Sequence, residues 1–279
     1  MAHARRSYAR LLATHAVLLF YTLISIGPIV LIAMNSIKSR SAIFSAPLAW
    51  PSPSTVDFSG YAALVEDGSF AGYFLNSTVV TVTALIAVIV FGAMAAFALS
   101  EYRFKLNALT GLYFAIGIMI PIRLGTVGIL EMLVAAHLAN TLTGLILVYT
   151  AQGLPLAIFI LTEYMKTVSS DLKNAGRIDG LSEYRIFFWL VLPLLRPAMT
   201  TVAVFTMIPI WNDLWFPLIL APGEATKTVT LGAQIFLGQY ETDWNAMLAV
   251  LTVGIVPIVA LYLVLSRGLI RGIASGAIK

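Results

Sequence analysis

The chain has no cysteine, three histidines and few charges, and each shortage removes a class of function. Without thiols there is no disulfide framework and no thiolate metal site. His3, His15 and His137 are too scattered to make a metal constellation. No Gly-x-x-x-x-Gly-Lys-Ser/Thr loop, His-Glu-x-x-His pair or Gly-x-Ser-x-Gly elbow occurs in the sequence. Nothing therefore argues for catalysis, and neither a catalytic nor a metal-ligating residue is assigned. Charged residues form 11% of the chain, against roughly 25% in a soluble domain.

What fills the space is apolar: 59% of the 279 residues are hydrophobic and the mean hydropathy is +0.92. A membrane-spanning helix needs about 20 mostly apolar residues. Six such windows are predicted, at about 11–34, 77–99, 108–130, 142–165, 198–220 and 246–266, and the first, second and sixth contain no Asp, Glu, Lys or Arg. The expected fold is an all-α polytopic membrane protein, one transmembrane domain over residues 1–279. The first window follows Arg5, Arg6 and Arg10, as a secretory signal would, but it exceeds the about 7–15 residues of a signal core. "NSIKSR" follows it in place of a small-residue cleavage site, so a retained anchor is expected.

Lys and Arg in short loops mark the cytoplasmic side. With the N-terminus inside, thirteen of the 17 Lys and Arg fall on inner segments, only Lys38, Arg40 and Lys227 fall outside, and Arg123 lies within a span. Both termini and residues 166–197 are thus expected in the cytoplasm, and the net charge of +4 reports topology rather than an affinity for nucleic acid. The long outer loop at 36–74, with "SAPLAWPSPSTVDFSGY", has the Pro, Ser and aromatic content of an ordered loop. "EMLVAAHLANT", between spans three and four, is short enough to lie along the outer interface.

Proline falls in five of the six predicted spans, at Pro28, Pro121, Pro155, Pro209 with Pro217, and Pro257. Each removes a backbone donor, which a membrane tolerates where neighbours re-satisfy the freed carbonyl. Broken spans suit a solute path, although proline is also simply commoner in membrane helices than in soluble ones. Gly92 and Ala96 in "FGAMAAFALS" make a small-residue face for close helix packing.

The polar interruption at 174–193 reads "NAGRIDGLSEYRIFFWLVLP". Ser170 and Asp171 look like a helix start, with an oxygen for free amides and a carboxylate on the positive end of the dipole. The first short helix runs to about Ile178, Asp179-Gly180 makes a turn in which Gly admits positive φ, and Ser182 can cap a second piece. Tyr184, Phe187, Phe188 and Val191 recur there at helical spacing, and Pro193 and Pro197 lead into span five. Two helices joined by a tight turn form a plug that fits a groove on another protein.

On these residues the chain resembles the binding-protein-dependent ABC importers, whose loop pattern is Glu-Ala-Ala, two residues, Asp-Gly-Ala, then a spacer ending in Ile-x-Leu-Pro. Ala175, Asp179, Gly180, Leu192 and Pro193 fit with the family's spacing, while Asn174, Gly176, Leu181 and Leu190 replace Glu, Ala, Ala and Ile. "ALSEYRFK", "GLPLAIFIL" and "IPIWNDLWFPLIL" resemble maltose-type carbohydrate permeases over most of residues 95–279. The resemblance implies a multi-pass permease subunit of the bacterial inner membrane that carries a sugar or sugar derivative by alternating access. It implies a second homologous permease, a cytoplasmic ATPase pair that binds ATP and Mg, and an external solute-binding protein, with no cofactor in this chain. The site residues it implies at the ATPase are Asn174, Ala175, Gly176, Asp179, Gly180, Leu181 and Pro193. The charge that the family's Glu brings to the ATPase is absent at Asn174. An ion-coupled secondary transporter is the alternative, expected to show a membrane-embedded acidic ion site and an inverted repeat.

Ionisable groups inside spans are candidates for function. Arg123 stands about fifteen residues from the inner end of span three, hence roughly 22 Å up the helix. It could snorkel to the outer headgroups, pair with Glu131, or line the cavity and meet an anionic solute. Trp211, Asn212 and Asp213 either face the cavity or belt the outer interface, the two tryptophans Trp211 and Trp215 sharing a face. Gln152 is a further cavity candidate, and Glu163 is expected as an exposed terminal residue. In the outer loop 221–240, Leu231, Gly232, Gln234 and Phe236 are implied to reach the binding protein as a mobile probe.

The charge distribution predicts that cysteines placed at Ser54 and Ser182 of this Cys-free chain label from opposite sides of intact cells. Only Ser54→Cys should react with an impermeant maleimide from outside; reaction of both would overturn the orientation.

Overall fold

Proline decides where the apolar segments bend. The computed structural model describes residues 2–66, 68–236 and 242–277, with side chains described within 11–264. Among these residues the regular elements are helical, apart from a lone bridge between Lys38 and Val56. In chain order they are α1 (Ala2–Asn35), α2 (Arg40–Ser45), α3 (Ser59–Glu66), α4 (Ser69–Glu101), α5 (Asn107–Met119), a 3-10 turn (Ile122–Gly125), α6 (Thr126–Ala135), α7 (Leu142–Met165) and α8 (Ser170–Ile178). Then come α9 (Glu183–Arg185), a π turn (Ile186–Val191), α10 (Leu192–Leu194), α11 (Arg196–Trp211), α12 (Trp215–Leu220), a 3-10 turn (Glu224–Thr226), α13 (Val229–Gly232), another 3-10 turn (Ala233–Phe236) and α14 (Trp244–Ala277). Among the described residues four helices can cross a membrane unaided, and six spans result if two bent pairs each count as one.

Helix breaks revise predicted spans three and five. Ile120 is held extended at φ −80° and ψ 119°, because the ring of Pro121 excludes the helical region for the residue before it. The axis turns by 87° between α5 and the Ile122–Ala135 segment, so Arg123 lies past a break and not up a continuous helix. Predicted span five stops at Trp211 and resumes at Trp215, so the two tryptophans do not share a face. The Asp213 carboxylate accepts from the amides of Trp215 and Phe216 at 3.2 Å each, a local alternative to helical pairing. A further bend of 76° separates Glu183–Leu194 from α11, where Pro193 and Pro197 withhold their donors.

The chain divides into two compact units. The first holds residues 1–71 and 233–256. There Lys38, 1% exposed, donates from Nζ to Asn35 Oδ1 at 3.1 Å and to the carbonyls of Ala46 and Pro47 at 3.1 and 3.3 Å. Its own carbonyl accepts from Asn245 Nδ2 at 2.7 Å. Gly60 meets the same stretch, where a Cβ would lie 2.3 Å from the carbonyl oxygen of Asn245. The loop at 36–58 is therefore tied down by polar contacts, as its composition predicts.

The second unit, residues 72–232 and 257–279, has two apolar cores along α4. Near the 166–197 loop, Val88, Ala93, Ala96 and Phe97 of α4 pack with Ala157 and Leu161 of α7, Ile186, Phe187 and Val191 of the π turn, and Ala198 and Val202 of α11. At the other end Val80 and Ala84 pack with Leu145, Val148 and Tyr149 of α7, Ile210, and Phe216 and Leu220 of α12. The small-residue face is used as expected: a Cβ at Gly92 would sit 2.9 Å from the Ala157 Cβ.

Gly92→Val should therefore overpack α4 against α7 and destabilise the protein by about 1–3 kcal/mol. Gly72→Val on the same helix, where a Cβ meets nothing within 4 Å, should cost less. Thermal unfolding in detergent checks the order, and equal melting points would refute close packing at Gly92.

Candidate coupling loop and central cleft

The polar interruption folds into the expected helix, turn and second piece, with the cap moved by one residue. Ser169, not Ser170, caps α8, its side chain accepting from the Asp171 amide at 3.1 Å. Gly180 has φ +77°. Its amide donates to Arg177 O at 3.1 Å and the Leu181 amide to Gly176 O at 2.9 Å, a Schellman closure that satisfies the last carbonyls of α8. Gly176 is buried where a Cβ would come within 2.9 Å of Leu190 and 3.3 Å of Ile186, so the family's alanine would require the Leu190 side chain to shift. Ser182 caps the second piece by accepting from the Arg185 amide at 3.5 Å.

The buried face of that piece is Ile186, Phe187 and Val191, whereas Tyr184 and Phe188 are 73% and 43% exposed. The π turn adds a residue to the helical ring and rotates the face away from the simple helical reading. Asn174, Ala175, Asp179, Gly180 and Pro193 are exposed and Leu181 is half-buried. Ile178, beside the turn, is 86% exposed.

An ion cluster ties α8 to its surroundings. Arg177 donates to Glu101 Oε1 at 2.7 Å, to both Glu183 oxygens at 2.7 and 3.2 Å, and to Asn174 Oδ1 at 2.9 Å. Lys173 pairs with the other Glu101 oxygen, and Tyr102 donates to Glu183 at 2.9 Å. Hydrogen bonds from Arg177 to Glu183 first and Glu101 second hold the guanidinium above its ordinary pKa. Burial and the Glu183 bond push the Tyr102 phenol up. Sequence reading missed this cluster, although "SEYRFK" contains two of its members. Glu163 is exposed and paired with Lys166 at 2.6 Å, as expected of a terminal residue.

Of the cleft candidates, the fold brings Arg123 and Gln152 together and buries Asp213 behind them. A cleft of about 590 Å³ is lined by Gly117, Pro121, Arg123, Gln152, Pro155 and Leu156 among others. Gln152 also lines a neighbouring 220 Å³ space with Tyr149 and Thr206. Arg123 pairs with Asp213 at 3.1 Å rather than with Glu131, its side chain 64% exposed and that of Asp213 5%. Tyr149 donates to the second Asp213 oxygen at 2.9 Å. Tyr149 and Gln152, three apart on α7, share a face; that spacing in "YTAQG" was the available signal for Tyr149. Trp211 is buried, its ring 5.5 Å from Phe74, and Asn212 turns back to Ile208 O at 2.9 Å. Neither lines the cleft.

In the outer loop, Leu231 and Gly232 are buried, and a Cβ at Gly232 would lie 2.2 Å from the Tyr73 ring. These two are not free to reach a partner. Gln234 is exposed and Phe236 half-buried, while residues 237–240 lie outside the described residues.

Residues 88–274 match the family model described as binding-protein-dependent transport system inner membrane component. The chain is 32% identical over 268 residues to the diacetylchitobiose uptake system permease protein of Streptomyces coelicolor, covering 95% of this chain and 88% of that one. It is 30% identical over 269 residues to the multiple sugar-binding transport system permease protein of Streptococcus mutans, covering 93% and 96%. The fold resembles a chain of a bacterial ABC transporter involved in the import of the acidic polysaccharide alginate, with a TM-score of 0.79 at 21% identity over 94% and 97% of the two chains.

Because Asp213 serves two amides, a phenol and a guanidinium while Arg123 is mostly exposed, Asp213→Ala should destabilise more than Arg123→Met. Melting temperatures in detergent test the order, and a larger loss with Arg123→Met would reverse the assignment.

Proposed function

The chain belongs to the inner membrane components of binding-protein-dependent transport systems, and from that premise we propose that it moves a sugar or sugar derivative inward as one of two homologous permeases. As an importer permease it works with an ATPase and a solute-binding protein; it is a transporter subunit and no enzyme itself. The finer assignment places an ATPase dimer, with its ATP and Mg, at the 166–197 loop in the cytoplasm, and the binding protein at the outer face beside Gln234.

The observation that carries this reading is the construction of the loop. Its inner face is cemented to the bundle through Ile186 and Phe187, with Gly176 packed inside the loop against Ile186 and Leu190, while Ile178 and Tyr184 stand exposed beside a turn closed by backbone hydrogen bonds. A preformed plug with an apolar tip fits a groove on a partner that moves during ATP hydrolysis. ATPase closure would push this plug and open the cleft outward, and release would reopen it inward.

The cleft supports a polyhydroxylated solute. Gln152 supplies both a donor and an acceptor, Arg123 keeps exposed donors, and Pro155 and Leu156 offer apolar surface for the faces of a sugar ring. Since Asp213 already balances the charge of Arg123, no anion is required of the solute. The relatives named for diacetylchitobiose and for multiple sugars point the same way.

Gly180→Val tests the coupling role, since a β-branched residue resists φ +77°. The complex should still assemble, while transport and binding-protein-stimulated ATP hydrolysis fall by about tenfold, an ordinary coupling free energy. Uptake at the wild-type rate would remove the loop from transmission.

A further inference from the structure

We infer that Arg177, clamped by Glu101 and Glu183, is a positioning residue that makes the 166–197 loop and the end of α4 move as one body. The inference rests on reading that loop as the ATPase contact. Glu101 is the last residue of α4. Its side chain and that of Lys173 are only 11% and 12% exposed, so the pairing is largely withdrawn from water and less screened than a surface ion pair. The guanidinium spends its fork on both pieces of the loop at once: Nη1 on Asn174 of α8, Nε and Nη2 on Glu183 of α9, and Nη2 again on Glu101. A neutral acceptor at position 174 leaves the charge of Arg177 to the two carboxylates. An acid there, as in the resembling pattern, would compete for it.

Apolar contacts follow the same route. Phe97 of α4 lies 5.4 Å from Phe187 of the π turn and 6.1 Å from Tyr102, ring centre to ring centre. Further along α4, Val88 is the nearest neighbour of Gly153, where a Cβ would fall 2.7 Å from its Cγ2. Gly153 adjoins Gln152 in the cleft. A displacement of the loop tip therefore has a packed path through Arg177, Glu101 and α4 to the wall of the cleft. Without the clamp, α8 can tilt on its own turn and the push is lost before it reaches α4.

Transmission is read as movement at the cleft. The reporter is Ala151→Cys, on the cleft wall, in the assembled complex with the cognate binding protein in proteoliposomes. Its maleimide labelling rate is measured with and without ATP. Glu101→Gln should reduce the ATP-dependent change in labelling by about tenfold while ATP hydrolysis continues, and Arg177→Lys should retain part of it. An ATP-dependent change of wild-type size in Glu101→Gln overturns the proposal. Should Glu101→Gln fail to assemble, Glu101→Asp decides, since it keeps the charge but draws it back by one methylene: a weakened response supports the clamp and an unchanged one overturns it. Gly180→Val in the same assay separates the two readings. If it abolishes the response and Glu101→Gln does not, the loop couples by another route; if neither variant alters it, the coupling reading falls as well.

Discussion

A backbone amide without a partner in hydrocarbon costs several kcal/mol, and the carboxylate of Asp213 supplies two such partners where the chain interrupts predicted span five. Span five stops at Trp211, and the amides that begin α12 are taken by Asp213. The same side chain holds Tyr149 of α7 and Arg123 beyond the break in span three. One buried carboxylate thus joins three segments, two of them discontinuous. The cleft is lined by residues on both sides of the break at Pro121. A straight α5 would carry Arg123 away from Asp213, and a continuous α11 would absorb the amides that hold the carboxylate.

At the other end of the unit the problem is different: a short polar loop must be stiff. Nine residues of α8 and three of α9 have little helical stability of their own. Their rigidity comes from caps at both helix starts, a Schellman closure at Gly180, an apolar inner face, and the Arg177 cluster. The replacements for family residues fit this local packing. Gly176 sits tightly against the Leu190 side chain, and Asn174 accepts from Arg177. The tip at Ile178 and Tyr184 stays exposed.

Much of the loop was legible because its signals are local. The Asp179-Gly180 turn needs a positive φ, Ser182 precedes a helical piece, and two prolines end it. The buried face of the second piece was not legible, since the π turn from Ile186 shifts the periodicity, and Ile186 is buried while Tyr184 and Phe188 stay exposed. The Trp211, Asn212 and Asp213 candidates separate for a similar reason. A helix break gives three consecutive residues three unrelated directions: into the core, back along α11, and onto Arg123.

The sequence by itself determined the solvent this protein lives in, the number of apolar segments, the turn at Gly180 and the family to which the chain belongs. Those properties follow from composition and from spacings of a few residues, which local physics reads directly. Tertiary structure decided the partner of Arg123, the burial of Leu231 and Gly232, and the joining of Glu101 to Arg177. The Arg123–Asp213 contact spans 90 residues and the Glu101–Arg177 contact 76. Both depend on where the helix axes bend and pack, and the directions of those bends are set by neighbouring helices that no local pattern encodes.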